Sequence, residues 1–311
     1  MVKYFDEEWP KEEEMLNIGL KMSRQNKADR KKVKRVFCIG NGESRQGFDL
    51  DKLKPFGKIY GCNAIYRDYM PDVLTAVDHG IMHEIYHAGV AQKIPSYFRD
   101  WTKVPAMTFE SVVMNGAEDL EVKKHIKDII ISNERGDSKE YVYHGASLKG
   151  IVDMIKRNGE KYKKNINNSQ IKISWIKEPD YSHSVRDLEP MPGQKTGDFG
   201  WACGATSGYV AMIRENPKEI YMIGHDLYSH NNFINNMYKS TKNYTAKENG
   251  PTPAVNWIRQ WKTLFNQYPD TTFYKVNRFN DGRDKVNGPI SEWDGVKNLI
   301  YTDYSTLDNL A

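Results

Sequence analysis

The feature that most constrains the fold is an alternation of short apolar runs with segments of helical period. The apolar runs have the length of β-strands and cover residues 36–39, 58–62, 73–77, 106–109, 171–175, 220–223 and 272–276. Helix-period segments lie between some of these runs, most clearly at residues 205–215 and 254–268. Strands that alternate with helices predict an α/β fold with a doubly wound, mostly parallel sheet and helices on both faces.

The domain organisation follows from the same pattern. At roughly 100–200 residues per domain, a chain of 311 residues allows two domains. The alternation instead favours one α/β domain over residues 34–311, preceded at residues 1–33 by an extension whose apolar residues have near-helical spacing. Residues 137–200 are irregular and predict an insertion or lid, in which residues 178–200 form a long loop.

Charge narrows the range of partners without identifying one. The chain has 45 Lys and Arg against 41 Asp and Glu, a net charge of +4. The surplus gathers in residues 21–35 and in residues 236–285. Each region is either a solvated surface beside a core-facing helix or a surface for a polyanion. If the polyanion is DNA, the candidate contacts are Lys239, Lys242, Lys247 and the basic segment 21–35.

Several classes of protein are excluded. No apolar run reaches the roughly 18 residues of a membrane-spanning helix, so we expect no membrane partner. The first residues contain no apolar core of a secretory signal. The cysteines, Cys38, Cys62 and Cys203, are odd in number and widely spaced, which favours free thiols in the cytoplasm over disulfides or zinc ligands.

The first two predicted strands end in residues suited to a nucleotide. Gly40 and Gly42 flank Asn41, so the backbone can approach a ligand and expose N–H groups, and Ser44 adds a hydroxyl. Asn63, after the second strand, can donate and accept hydrogen bonds at once. A plain tight turn remains the alternative at both strand ends.

Candidate catalytic residues follow the third strand and a later one. Asp78 and His79 are a candidate general base or metal pair. His79, His83 and His87 recur every four residues, a pattern that can hold zinc but is more typical of a polar helix face, so we predict no metal site. Asp226 is a candidate base, metal ligand or loop anchor.

A further pair of segments lies late in the chain. Thr206, Ser207 and Gly208 open a predicted helix, where small hydroxyl residues satisfy free N–H groups or bind an anion with them. Tyr228 follows the strand that ends before Asp226.

Taken in order, these segments resemble the bacterial sialyltransferases that use CMP-sialic acid and related proteins similar to pterin diphosphokinases. The matching segments are GNGES at residues 40–44, CNAIY at 62–66, TSG at 206–208 and KEIYMIGHDLY at 218–228. The resemblance covers roughly residues 34–80 and 203–276. It implies a GT-A-like, Rossmann-type fold and a nucleotide-sugar donor, UDP- or CMP-linked.

The resemblance also implies roles for individual residues. Asn41, Asn63, Thr206 and Ser207 would hold the nucleotide and the sugar, and Tyr228 would contact the donor phosphate. The chain departs from the family at three other positions. His230 is too close to Tyr228 to match the family's base, Asp78 replaces an Asn, and Gly204 replaces an Arg that suits a sialic acid carboxylate. We therefore expect Asp78 or Asp226 to deprotonate an acceptor hydroxyl.

The resulting hypothesis is a nucleotide-sugar-dependent glycosyltransferase. The chain also looks like proteins of T-even-type bacteriophages that glycosylate hydroxymethylated pyrimidines in DNA, so such a base is the favoured acceptor and the cytoplasm of an infected bacterium the expected location. A divalent metal is compatible with the pattern but is not indicated by it. The alternatives are a glycan-directed sialyltransferase-like enzyme, a pterin diphosphokinase-like enzyme, or a non-enzymatic phage protein that binds nucleotides or nucleic acid.

Overall fold

The structure is a computed structural model that describes residues 34–99, 101, 103–105, 128–130, 174–175, 179–191, 201–278 and 287–310. The predicted helical extension and the predicted strand at residues 106–109 lie outside these ranges. So does most of the predicted insertion at residues 137–200. No helix within the described ranges is long and apolar enough to cross a membrane.

The described residues form eleven strands in two sheets. In chain order they are β1 (Arg35–Ile39), β2 (Lys58–Cys62), β3 (Val73–Ala76), β4 (Ser96–Phe98), β5 (Lys103–Pro105), β6 (Asp128–Ile130), β7 (Ser174–Trp175), β8 (Ser182–Ser184), β9 (Glu219–Ile223), β10 (Thr272–Asn277) and β11 (Leu299–Asp303). Eight strands form one parallel sheet in the order β11-β10-β9-β1-β2-β3-β4-β8. A small antiparallel sheet has the order β5-β6-β7.

Among the described residues, four α-helices cover the two faces of the large sheet. They are α1 (His79–His87), α2 (Cys203–Glu215), α3 (Val255–Gln267) and α4 (Tyr304–Asp308). Side chains of β1 alternate between two cores: Val36 packs in a cluster with residues of α2 and α3, whereas Phe37 packs with residues of α1 and α4. All five residues of β1 are buried, as expected for a central parallel strand. The predicted doubly wound, Rossmann-like α/β fold is thus confirmed.

The strand order reverses at the centre of the sheet. From β1 the chain adds β2, β3 and β4 to one side, and it later returns to place β9, β10 and β11 on the other side. The connections leave the carboxyl ends of β1 and β9 in opposite directions, which opens a crevice between them. Ligands of doubly wound sheets bind at this topological switch point.

Within the predicted loop 178–200 the structure forms a short edge strand, β8, at residues 182–184, while residues 178 and 192–200 lie outside the described ranges. Ser182 and Ser184 are buried but polar, so the apolar alternation that marks a strand is missing. The side chain of Asp180 accepts hydrogen bonds from the N–H of Ser182 at 3.0 Å and from its hydroxyl at 2.6 Å. These hydrogen bonds from Ser182 to Asp180 hold the start of β8 in place, a role that apolar side chains have in the central strands.

Helix α1 does not present the polar histidine face that its spacing predicts. His83 is buried, and its ring lies 4.9 Å from the ring of Trp101, measured between centroids. The helix therefore directs this histidine into the core beneath β3 and β4.

Candidate functional site

A cleft of about 610 Å³ opens at the carboxyl ends of the central strands, at the switch point. It receives six of the predicted site residues, which come from the ends of four different strands: Gly40, Asn41, Gly42, Asn63, Asp78 and Asp226. Its volume lies within the range of small-molecule sites, about 300–1,000 Å³.

The glycines after β1 allow the chain to approach itself. A Cβ on Gly40 would lie 2.4 Å from the carbonyl oxygen of Gly224, and one on Gly42 would lie 2.4 Å from Cγ of Asp226. The N–H of Gly40 donates to the carbonyl of Ile223 at 2.7 Å, and that of Gly42 donates to the carbonyl of Gly224 at 2.8 Å. The prediction that this turn exposes N–H groups to a ligand is therefore wrong for both glycines.

The next residues of the turn are also occupied by protein partners. The N–H of Glu43 donates to Oδ1 of Asn235 at 2.9 Å, and the N–H of Ser44 donates to Oδ2 of Asp226 at 2.8 Å. The Ser44 hydroxyl donates to the second carboxylate oxygen of Asp226. Of the three roles considered for Asp226, the geometry matches the loop anchor, and Ser44 is its partner instead of a ligand contact.

Unpaired acceptors line the cleft at the ends of β1 and β2. Asn41 is 8% exposed, and its Nδ2 donates to the carbonyl of Cys62 at 2.9 Å. That bond fixes the amide so that Oδ1 is buried without a hydrogen-bond partner in the described residues. Asn63, with a left-handed backbone at φ 49°, likewise has a buried Oδ1 without a partner there. A buried acceptor without a partner costs about 1–3 kcal/mol, which a ligand O–H or N–H would offset.

Tyr244 supports this pair of asparagines from the opposite wall. Its hydroxyl accepts from the N–H of Ala64 at 3.2 Å and from Nδ2 of Asn41 at 3.4 Å. Burial raises the pKa of Tyr244, so the hydroxyl keeps its proton at neutral pH. Tyr244 is not among the site residues predicted from the sequence.

Asp78 is the acid that the cleft leaves available. It follows β3 and directly precedes α1, but its side chain does not cap the helix. The carboxylate is exposed on the lining of the cleft. Within the part of the chain that the structure describes, no hydrogen-bond donor or cation contacts it. For His79, the first residue of α1, the backbone alone is described.

His225 is a lining residue that the sequence analysis did not select. The carbonyl of Cys38 lies 3.0 Å from Nε2, so this nitrogen carries the hydrogen and Nδ1 is the acceptor. Burial lowers the pKa of His225 to about 3, and the charge of Lys275 adds to the effect, so the ring is neutral. A Cβ on Gly204 would lie 2.8 Å from Nδ1. The ring thus occupies space that an Arg at position 204 would need.

Besides Ser44, four predicted ligand contacts do not lie on the described lining of the cleft. Thr206 and Ser207 are buried in α2, and their hydroxyls donate to backbone carbonyls of the preceding turn at 3.0 and 2.7 Å. Gly208 packs against Trp261, where a Cβ would lie 2.7 Å from the ring. Tyr228 is 39% exposed at the surface. Residues 206–208 of α2 therefore contribute packing, whereas anion binding was one of the two roles predicted for them.

Residues 227–254, here called the strap, connect β9 to α3 and form one wall of the cleft. The strap is bonded to the first half of the sheet at several points. Arg45 Nη2 donates to the hydroxyl of Tyr238 at 2.8 Å, and Asn243 Nδ2 donates to Oε2 of Glu84 at 2.8 Å. These bonds hold the strap against the turn that follows β1 and against helix α1.

Glu84 is the centre of one of these networks. Besides Asn243, it accepts from Nε and Nη2 of Arg67 at 2.8 and 2.6 Å and from the hydroxyl of Tyr66 at 2.5 Å. Burial alone would raise the pKa of Glu84, but the hydrogen bonds from Tyr66 and Arg67 outweigh it and lower the pKa. The carboxylate is therefore a charged anchor for the strap.

Positive charge lies on the rim of the cleft. Lys239 pairs with Glu43 and Arg99 donates to the carbonyl of Trp201, while both cations line the cleft. Lys242 and Lys247 are exposed on the strap.

Comparisons with protein-family models, with curated proteins and with solved structures gave no match to this chain. The fold and the site therefore define a class on their own evidence: a Rossmann-like α/β protein with a polar cleft at its switch point.

Proposed function

We propose that the chain is a glycosyltransferase that binds a nucleotide-linked sugar in the cleft and transfers the sugar to an acceptor hydroxyl. One observation carries the proposal: the buried amide oxygens of Asn41 and Asn63, which have no partner among the described residues, share one cleft lining with the carboxylate of Asp78. Ribose, base and sugar present uncharged O–H and N–H donors, which match neutral acceptors. Asn41 and Asn63 hold the donor, and Asp78 supplies the chemistry.

The proposed reaction assigns a role to each group on the lining. Asp78 removes the proton from the acceptor hydroxyl, whose oxygen attacks the anomeric carbon as the bond to the phosphate oxygen breaks. Arg99 and Lys239 place positive charge near the departing phosphate. His225, neutral and with Nδ1 as acceptor, receives a hydrogen bond and takes no part in proton transfer.

The alternative of a pterin diphosphokinase receives less support from the geometry. That reaction needs carboxylates that hold Mg²⁺ beside a triphosphate. Both oxygens of Asp226 are bonded to Ser44, so this carboxylate is not available to act with Asp78.

A hydroxymethylated pyrimidine in DNA is the acceptor that we favour. Lys242 and Lys247 are exposed on the strap, and Phe233 on the same strap is 49% exposed. Lysines neutralise phosphates and exposed aromatic rings stack on bases. The target base would leave the duplex to reach Asp78 in the cleft.

The decisive experiment measures donor binding and sugar transfer separately. A panel of UDP- and CMP-sugars is titrated calorimetrically, and transfer to hydroxymethylated DNA is followed by mass spectrometry. Asp78→Asn should bind the donor normally and transfer about 10²–10⁴-fold more slowly. Asp270→Asn is the matched control, because Asp270 is exposed in the turn that leads into β10. Equal rates in the two variants, or no transfer by the folded wild type, would contradict the proposal.

The DNA acceptor has its own test. The double variant Lys242→Glu/Lys247→Glu should keep donor affinity, weaken DNA binding and reduce the salt slope of binding by about 2. Lys297→Glu, exposed before β11, is the control. Unchanged DNA binding would leave glycosyl transfer standing and reject DNA as the acceptor.

A further inference from the structure

Two cysteine side chains meet at the floor of the cleft. Cys62 ends β2 and Cys203 begins α2, and both line the cleft. Together with Val77 they form a small buried cluster of their own. Neither thiol has a role in the proposed glycosyl transfer.

Thr75 on β3 holds the two sulfurs towards each other. Its hydroxyl oxygen lies 3.9 Å from Sγ of Cys62 and 3.4 Å from Sγ of Cys203. The Cys203 thiol in turn donates to the carbonyl of Thr75 at 3.1 Å. A single buried residue therefore fixes both thiols on one side of the floor.

The two thiols are also electrostatically unequal. When Cys62 is ionised, a hydrogen bond from the Cys203 thiol, made in place of its bond to the Thr75 carbonyl, lowers the pKa of Cys62 against the effect of burial. Burial raises the pKa of Cys203, and the neighbouring Cys62 and Asp78 add to the rise. An attacking thiol of lowered pKa beside a second thiol is the arrangement of a dithiol that exchanges with disulfides.

We propose that Cys62 and Cys203 form a redox-active pair that is oxidised by a small disulfide entering the cleft. The Cys62 thiolate attacks one sulfur of R–S–S–R, which forms a Cys62–S–S–R bond and releases the other half as a thiolate that takes up the Cys62 proton. The Cys203 thiolate then attacks the Cys62 sulfur. A Cys62–Cys203 bond forms, the second RS⁻ leaves with the Cys203 proton, and the small disulfide has been reduced to two thiols.

Oxidation should alter the ligand site. The carbonyl of Cys62 accepts the bond from Asn41 that orients its amide, and Asn63 follows Cys62 directly. A disulfide to α2 shifts this turn and weakens nucleotide binding reversibly. This consequence rests on the proposed function, whereas formation of the disulfide does not.

The test uses the full folded chain. It is incubated with 2-hydroxyethyl disulfide, quenched with N-ethylmaleimide in denaturant so that buried thiols are also alkylated, and analysed by intact mass and peptide mapping. We expect the loss of two hydrogens, a Cys62–Cys203 linkage, and Cys38 recovered as the alkylated thiol. Cys203→Ser should stop at the mixed disulfide on Cys62, and Cys38→Ser should form the linkage as the wild type does.

Other outcomes overturn the proposal. Cys38 also lies on the face of the sheet that packs against α2, so a Cys38–Cys62 linkage would show that the pair is misassigned. Three alkylated thiols after incubation would show that the cleft thiols do not exchange. Circular dichroism confirms that each variant is folded. Loss of nucleotide affinity on oxidation, and its return on reduction, tests the consequence for the site separately.

Discussion

Gly42→Ala tests whether the switch point is held together by close packing of the chain on itself. The added Cβ would lie 2.4 Å from Cγ and 2.5 Å from Oδ2 of Asp226, and 2.7 Å from the carbonyl oxygen of Gly224. Gly42 has φ −67°, which alanine adopts without strain. The substitution therefore perturbs contacts and leaves the backbone conformation accessible.

The magnitude follows from the bonds that must move. Ordinary carbon contacts begin near 3.5 Å, so the Asp226 carboxylate must retreat by roughly 1 Å. That movement breaks at least one of its bonds to Ser44, at about 1.5–3 kcal/mol for a charged acceptor. Overpacking adds about 1–3 kcal/mol. We expect the free energy of unfolding to fall by about 3–5 kcal/mol.

Urea unfolding followed by tryptophan fluorescence measures this loss. Gly250→Ala is the matched control, because no atom lies within 4 Å of its added Cβ, and it should be neutral or slightly stabilising. In an Asp226→Ala background the cost of Gly42→Ala should drop by about 1–3 kcal/mol, since the main clashing group is gone. A loss within about 1 kcal/mol of the control would refute the reasoning.

Three further predictions concern the strap and the helices. The pKa of Glu84 is lowered in the folded state, so the stabilisation by its carboxylate is present above the unfolded carboxyl pKa and is lost as pH falls through the folded pKa. In Glu84→Gln the free energy of unfolding should therefore depend less on pH below about pH 4.5 than it does in the wild type. Tyr244→Phe removes a buried acceptor and should cost about 1–2 kcal/mol in urea unfolding, with lower donor affinity in calorimetry. Gly208→Ala forces a Cβ to within 2.7 Å of the Trp261 ring and should lower the melting temperature through overpacking of about 1–3 kcal/mol, whereas a melting temperature equal to that of wild type would show that the ring moves freely.

Apolar pattern was sufficient to predict the central strands. β2 spans the predicted residues 58–62, and β1, β3, β9 and β10 agree with their predictions to within one residue at each end. Three outer strands of the large sheet were missed, because β4 and β8 are three residues long and β11 is only partly buried. Edge strands form through pairing with a neighbour, and that pairing leaves little signal in the local sequence.

Site residues that follow the ends of strands were predictable from the sequence. Site residues that reach the cleft through contacts between segments far apart in the chain were not. Asn41, Asn63 and Asp78 come directly after β1, β2 and β3 or one residue later, and parallel strands bring those ends together. His225 obeys the same rule, so attention to every residue after β9 would have found it. Tyr244 lies in the strap, which has no periodicity. The N–H groups of Gly40 and Gly42 donate to carbonyls at the end of β9. These bonds could not be predicted because they join residues more than 180 positions apart in the chain.

The separation of β1 from β9 along the chain has a consequence for how the protein is made. Arg35 and Glu219, joined across these neighbouring strands at 2.7 Å, are 184 positions apart, and Arg45 and Tyr238 are 193 apart. At a synthesis rate of about 5–20 residues per second, β9 leaves the ribosome on the order of ten seconds or more after β1. During that time one edge of β1 has no partner strand. Contacts of such long range slow folding, so the cleft is completed late, and the nascent chain exposes the apolar edge of β1 until β9 pairs with it.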